Sequence, residues 1–234
     1  MNKRRSLCVI PARGGSKTIP LKNIALLNGK PLLHYALSAA SKARLIDRVV
    51  VSSDHVKIRK IAEEYGDNIV LERPACLASD NTPSRSVILH ALDVCERQDG
   101  CRYEHIILVQ ATNPLVTPED IDNTLEKLTE TNCDMCVTVV SLGHLHPSKF
   151  KILRDDRLLS FVEEEKELLP RQGLDEIYIR NGSCYAYKRE ALFESNLEGK
   201  DIRAIVVPKE RYVDINDQVD LKVAECLLAF STSK

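Results

Sequence analysis

The sequence predicts an α/β fold, a mostly parallel sheet with helices on both faces, and three observations carry that expectation. Short, uninterrupted apolar runs recur from Leu7 to Val140. The segments between them place their apolar residues at helical spacing. The alternation repeats five times, the mark of stacked βαβ units whose crossovers lay helices over both faces of a sheet.

Each element follows in order. Leu7-Cys8-Val9-Ile10 ends in Pro11 and reads as a buried strand running into a loop. Pro31 opens a helix with Leu33, Ala36, Leu37 and Ala40 on one stripe. Arg48 to Val51 is a second strand, and Ile58, Ile61, Ala62 and Tyr65 mark a helix stopped by Gly66. Asn68 to Leu71 is a third strand, followed by a polar loop to Thr82. Pro83 then starts a helix carrying Val87, Ile88, Ala91, Leu92 and Cys95. Ile106 to Val109 is a fourth strand. Pro118-Glu119-Asp120 gives the next helix an acidic first turn, suited to its positive end. Met135 to Val140 is a fifth strand.

The alternation fails between Ser141 and Arg180, a stretch that includes Glu163-Glu164-Glu165-Lys166-Glu167. So long a loop without structure is improbable inside a compact domain, so 141–180 is expected to be an inserted β-arm with a functional or oligomeric role. Gly182 to Lys188 and Ile202 to Val207 resume as strands. Val219, Val223, Cys226, Leu227 and Phe230 form the apolar stripe of a closing helix. One domain over 1–234, with the arm inside it, accounts for the chain.

Composition narrows the function. With 234 residues, 44% of them hydrophobic, the chain buries a core. Its 33 basic and 34 acidic residues leave a net charge of −1, which argues against a nucleic-acid footprint or a membrane-surface patch. The apolar run after the basic start is too short for a signal or membrane segment, so a cytoplasmic protein is expected. Cys133-Asp134-Met135-Cys136 is a single C-x-x-C with no second pair to complete a zinc site, and it opens a strand rather than a helix. Cys8, Cys95, Cys184 and Cys226 sit among apolar neighbours and read as small core residues.

In a parallel sheet the ligand lies beyond the carboxyl ends of the strands, which directs attention to the loops after the first, third and fourth. The first reads Pro11-Ala12-Arg13-Gly14-Gly15-Ser16-Lys17-Thr18-Ile19-Pro20-Leu21-Lys22-Asn23. Gly14 and Gly15 let the backbone approach a ligand and turn N–H groups toward it, while Arg13, Lys17 and Lys22 add three positive charges. A triphosphate suits such a loop. It is not a P-loop, which would need glycine where Pro11 and Ser16 stand, and the dinucleotide fingerprint G-x-G-x-x-G is absent.

Arg13-Gly14-Gly15-Ser16-Lys17 with Pro20-Leu21-Lys22-Asn23 resembles the opening motif of the acylneuraminate cytidylyltransferases, the CMP-sialic acid synthetases. Further segments resemble the same family in the same order. They are Arg73-Pro74 with Leu77-Ala78-Ser79-Asp80 and Ser84, then Gln110-Ala111-Thr112-Asn113-Pro114-Leu115, then Pro170-Arg171-Gln172, Asn181-Gly182 with Tyr185, and Val213-Asp214-Ile215. The resemblance implies a Rossmann-like nucleotidyltransferase fold and transfer of CMP from CTP to a nine-carbon 2-keto sugar acid.

It also implies roles. Ala12, Arg13, Gly15, Ser16, Lys17, Lys22 and Asn23 would hold the nucleotide, with Arg73 and Ser84 on cytosine and ribose. Gln110, Arg171, Asn181 and Tyr185 would hold the sugar, joined by Lys149 from the other subunit of a homodimer with shared sites. Asp214, with Asn216 as a weaker neutral ligand, would bind Mg²⁺, and Arg13, Lys22 and Asp214 together would carry the catalysis. The chain departs from the family's common Asp-x-Asp by placing Asn216 where a second carboxylate would stand, with Asp217 one place out of register. Other acceptors within the same chemistry are legionaminic and pseudaminic acid. A catalytically silent nucleotide-binding homologue is opposed by the joint presence of Arg13, Lys22, Arg171 and Asp214.

Overall fold

Strand β1 (Ser6–Pro11) lies mid-sheet, with every residue from Ser6 to Ile10 buried. The computed structural model describes residues 5–65, 69–143, 145, 149–161, 176–194 and 199–231. After β1 come β2 (Leu26–Leu27), β3 (Lys30–Pro31), α1 (Leu32–Lys42), β4 (Arg48–Ser53), α2 (Val56–Glu64) and β5 (Ile69–Glu72). Next are α3 (Ser84–Asp99), β6 (His105–Val109), α4 (Pro118–Thr131) and β7 (Met135–Ser141). The remainder is β8 (Lys151–Arg154), β9 (Arg157–Ser160), β10 (Tyr178–Lys188), α5 (Arg189–Phe193), β11 (Ile202–Val206) and α6 (Gln218–Ser231).

The main sheet has seven strands in the order β11-β7-β10-β6-β1-β4-β5. All neighbours pair in parallel except β10, which is antiparallel to both β6 and β7. Both faces are covered. Cys8, Ile10, Ile107 and Val109 meet Leu33 and Leu37 of α1 and Ile121 and Leu125 of α4. Leu7, Val9, Ile106 and Leu108 point the other way, onto Ile88, Ala91, Leu92 and Cys95 of α3. Alternate residues bury on opposite faces, which is why these strands read as unbroken apolar runs. Each fully buried leucine of these layers stabilises the fold by about 1.5–3 kcal/mol.

Helix starts follow the sequence closely. Pro31 and Pro83 sit at the N-caps of α1 and α3. Thr117 and Asp120 form a reciprocal capping box at α4, each side chain accepting from the other's backbone N–H. The cysteine pair Cys133 and Cys136 is buried at the start of β7, where the Cys133 thiol donates to the Met135 carbonyl. Burial pushes the Cys95 thiol up to about 11 and the Cys136 thiol up to about 12, and raises Cys8 and Cys184 as well. None of these four is a thiolate at neutral pH.

Two expectations need correction. The closing helix buries Leu221 and Ala224, with Leu227 and Leu228 half-buried, against Leu27, Leu115, Val213 and Ile215. Val219, Val223 and Phe230 are exposed, and so is Cys226, which is therefore not a core residue. The helix carries two apolar stripes, and spacing alone does not say which one meets the protein. The stop expected at Gly66 lies outside the described residues, although α2 does end at Glu64.

Within the expected arm, β8 and β9 form a hairpin that is a two-stranded sheet of its own, whereas its last residues, Tyr178 to Arg180, already belong to β10 and pair with β7, so the arm ends earlier than expected. Asp155 and Asp156 turn it, both at positive φ (48° and 62°), as a two-residue loop between right-twisted strands requires. Among the described residues no helix is long and apolar enough to cross a membrane.

Candidate active site

The loop after β1 is held by its own bonds before any ligand arrives. The Ala12 amide donates to the Ser52 carbonyl, extending the β1–β4 pairing and burying Ala12. Asn23 donates from Nδ2 to the Arg13 carbonyl at 2.9 Å, so the far end of the loop closes on its start. Gly14 donates its N–H to Asp54 Oδ1 at 3.0 Å. This corrects the expectation that both glycine amides face a ligand, because the Gly14 amide is taken by the loop after β4. The two glycines also differ in their surroundings. A Cβ on Gly14 would lie 2.8 Å from His55 Cβ, whereas one on Gly15 would meet nothing within 4 Å.

Beyond this loop opens a cleft of about 490 Å³, lined by Arg13, Lys17, Lys22, Arg73, Asp80 and Asp214. Ser16, Asn23, Ser84, Gln110 and Asn216 also line it. The structure thus brings together most of the residues expected to hold nucleotide, together with Asp214. Asp80 bridges two of the cations, 2.6 Å from Arg13 Nη1 and 2.6 Å from Lys17 Nζ. The Lys17 ammonium, then the Arg13 guanidinium, hold its carboxyl below the usual carboxylate range.

Arg73 reaches the cleft as a buried guanidinium. Its Nε donates to Ser52 Oγ at 3.1 Å and its Nη2 to the Ser52 carbonyl at 2.6 Å, leaving further N–H donors of the fork for other partners. Burial lowers its pKa, but guanidinium stays charged at any physiological pH. Lys22 spans the cleft to donate from Nζ to the Ile215 carbonyl at 2.6 Å, and Thr18 Oγ1 donates to the Asn216 carbonyl. Burial pushes the Lys22 ammonium down, and the nearby Asp214 carboxylate works the other way.

The segment carrying Asp214 is fixed from behind. Arg211 Nη1 pairs with the buried Asp120 at 2.5 Å, and the Ile215 amide donates to the Thr112 carbonyl at 2.9 Å. Asn216 Nδ2 donates to Asp214 Oδ2 at 3.1 Å, so the amide that replaces a second carboxylate supports the first. Asp217 does something different: its Oδ1 accepts from the Val219 and Asp220 amides and caps α6.

With the geometry in place, comparison with known proteins settles the family. The cytidylyltransferase family profile matches residues 7–218. The chain belongs to the cytidylyltransferase family. It is 30% identical over 225 residues to the pseudaminic acid cytidylyltransferase of Campylobacter jejuni serotype O:2, covering 95% of this chain and 96% of that one. It is 31% identical to the N-acylneuraminate cytidylyltransferase of Escherichia coli, covering 95% of this chain and 52% of the longer relative. Among solved structures, CMP:2-keto-3-deoxy-manno-octonic acid synthetase complexed with CTP superposes with a TM-score of 0.69 at 15% identity, over 97% of this chain and 99% of that one. At that identity the likeness speaks for the fold alone.

Within this cytidylyltransferase, the residues expected on the sugar side are less gathered than those on the nucleotide side. Gln110 lines the cleft, its amide donating to the Ser183 carbonyl. Asn181 is buried, and its Oδ1 accepts from Thr138 Oγ1 at 2.6 Å and Ser183 Oγ at 3.0 Å. Tyr185 sits within β10 between Leu108 and Val137, packed on the core face. Neither lines the cleft, and nor do Ala12, Gly15 or Lys149, the last of which is exposed at the base of the arm. Arg171 lies outside the described residues.

Sequence reasoning passed over Asp54, His55 and Asp80 as contributors. Asp80 is the only acidic residue between Glu72 and Asp93, a signal in an otherwise cationic site. Asp54 and His55 follow β4, a carboxyl-end loop that deserved equal weight with its neighbours. Their contact with Gly14 generates a test. Gly14→Ala is expected to weaken CTP binding by roughly tenfold or more, since shifts of about 1 Å in such loops are felt strongly. Adding His55→Gly removes the clash and restores affinity. Calorimetric titration with CTP reads both, and an unimpaired Gly14→Ala protein would contradict the packing account.

Proposed function

We propose that this cytidylyltransferase transfers CMP from CTP to the anomeric hydroxyl of a sialic-acid-type nonulosonate, N-acetylneuraminate in the first instance, and releases pyrophosphate. The observation that carries the reading is the convergence of Arg13, Lys17, Lys22 and Asp214 on one cleft at the carboxyl end of the sheet. Arg13 and Lys17 exchange Asp80 for phosphate oxygens of the nucleotide. Arg73, held by Ser52, and Ser84, the first residue of α3, address the cytosine and ribose. Lys22 stands where negative charge grows as the acceptor oxygen bonds to the α-phosphorus and the bond to pyrophosphate breaks. Gln110, with Arg171, Asn181, Tyr185 and a partner's lysine equivalent to Lys149, is assigned to the sugar.

Mg²⁺ fits the donor set. Asp214 offers a carboxylate to the cleft, Asn216 stands beside it, and phosphate oxygens and water complete the all-oxygen sphere this ion prefers. When bound, the ion withdraws charge from the phosphates. Asp214 and Asn216 are the residues that would hold it. A cytoplasmic location goes with this reading, since CTP is a cytoplasmic metabolite and all eight cysteines are free thiols.

A homodimer is supported by the arm. Leu153 and Leu158 are 68% and 72% exposed, and Phe161 59%, on a hairpin that among the described residues pairs with no other strand. An isolated hairpin is marginally stable in water and an apolar patch of this kind asks for a partner, so a second copy is assigned to it.

The second reading keeps the nucleotide chemistry and changes the acceptor to pseudaminic or legionaminic acid. It is favoured by the near-equal identity to the pseudaminic acid relative.

The test is a pyrophosphate-release assay with CTP, UTP, ATP and GTP against a panel of nine-carbon sugar acids. CTP should be strongly preferred, Mg²⁺ required, and Asp214→Asn inactive. Comparable kcat/KM with ATP would sink the cytidylyl assignment, and rate from a legionaminate or pseudaminate alone would select the second reading. Shared sites are tested by mixing an inactive Lys149→Ala chain with an inactive Arg13→Ala chain. Some activity should return, whereas no rescue despite demonstrated subunit exchange would show that each chain works alone.

A further inference from the structure

Asn113 is 2% exposed, in the turn after β6 where three segments meet. Its own turn is anchored to β10 by the Gln110 amide on the Ser183 carbonyl, and to the Asp214 segment by the Ile215 amide on the Thr112 carbonyl. Its side chain lies between the same two partners. With Nδ2 turned toward them, the amide donates to the Asn181 carbonyl at 2.7 Å and to the Val213 carbonyl at 2.9 Å. The opposite orientation would set the amide oxygen against both carbonyls and gain two long donations, 3.3 Å to Asp214 Oδ1 and 3.5 Å to Thr112 Oγ1. Two short hydrogen bonds and the relief of two oxygen–oxygen contacts outweigh two long donations, so the first orientation is the ground state.

Local structure explains why these carbonyls need a donor. The β10–β7 register shifts between Arg180 and Tyr185, a bulge that takes the Asn181 carbonyl out of the ladder. Gly182, at φ +78°, has no Cβ where one would come 3.2 Å from the Asn113 amide, so the bulge closes onto it. Val213 immediately precedes Asp214 and belongs to no strand or helix. One buried amide therefore ties the bulge carrying Asn181 to the backbone that aims Asp214.

We propose that Asn113 is a positioning residue, a double hydrogen-bond staple that sets the Asp214 carboxylate in register with the β10 bulge on the acceptor side of the cleft. The inference rests on the proposed role of Asp214, to which it adds a support from behind. Asn113 is buried and does not line the cleft.

The test compares wild type with Asn113→Ser, which keeps one hydroxyl donor, and Asn113→Ala, which keeps none. Two readouts are used. The first is affinity for Mn²⁺ in the presence of CTP, measured by electron paramagnetic resonance of the free ion, which requires no turnover. The second is kcat and KM for CTP, with melting temperature recorded alongside. Mn²⁺ affinity and kcat are expected to fall in the order Asn, Ser, Ala, by about 10–100-fold at the end of the series, as for residues that orient a metal ligand. KM for CTP should change by less than about threefold, because Arg73 and Ser84 lie on other elements. Unchanged Mn²⁺ affinity and kcat in folded Asn113→Ala would overturn the proposal. So would a lowered melting temperature with both values intact. If wild type releases no pyrophosphate from CTP, the cytidylyl reading fails by itself, and the Mn²⁺ series still decides the role of Asn113.

Discussion

Like charges crowd the carboxyl end of this sheet, and much of the local structure answers that constraint. Arg13, Lys17 and Lys22 come from one loop and Arg73 from the turn after β5, all on one cleft. Two such charges about 4 Å apart repel by roughly 4 kcal/mol at an effective dielectric of 20. The fold offsets this with Asp80 on two of the cations and Asp214 near a third. A triphosphate carries more negative charge than Asp80 and offers more acceptors, so a cation cluster of this kind suits such a ligand. The rigid parts of the loop serve this arrangement. Asn23 closes it, Asp54 fixes Gly14, and Lys22 and Thr18 clasp the segment that carries Asp214.

That clasp joins residues almost two hundred positions apart in the chain. It is possible because of β10. Inserted antiparallel between β6 and β7, this strand makes the two halves of the sheet one surface. Its bulge is placed beside the turn after β6, and Arg211 anchors the last stretch of chain to the N-terminus of α4. The side carrying Arg13, Lys17 and Arg73 is thus built from parallel strands early in the chain, and the remaining side from the inserted strand and the segment before α6. Asn113 sits at their meeting point.

Much of this was legible in the sequence. Both-face burial makes apolar runs such as Leu7–Ile10 and Ile106–Val109 conspicuous, and prolines at the helix starts mark the boundaries. The cations after β1 were picked out by type and density alone, and they do share one cleft. What stayed hidden depends on long-range geometry. Nothing local tells that β10 enters the sheet antiparallel. Nothing local tells that Leu221 and Ala224, rather than Val219 and Phe230, face the protein, since the helix is apolar on both stripes. The roles of Asp54 and Asp80 follow from contacts with Gly14, Arg13 and Lys17, which only folding creates. Asn113 was visible as part of a motif, but its double donation depends on a bulge many residues downstream.

The central claim is that bond making occurs at the α-phosphorus, with the cation cluster holding the departing pyrophosphate. Phosphorus-31 NMR of the completed reaction with CTP and N-acetylneuraminate reads this directly. The account predicts one phosphodiester resonance from a sugar carrying a single phosphate, and free pyrophosphate in equal amount. A sugar carrying two phosphates with release of inorganic phosphate, or CTP consumed with no phosphorus joined to the sugar, would contradict it.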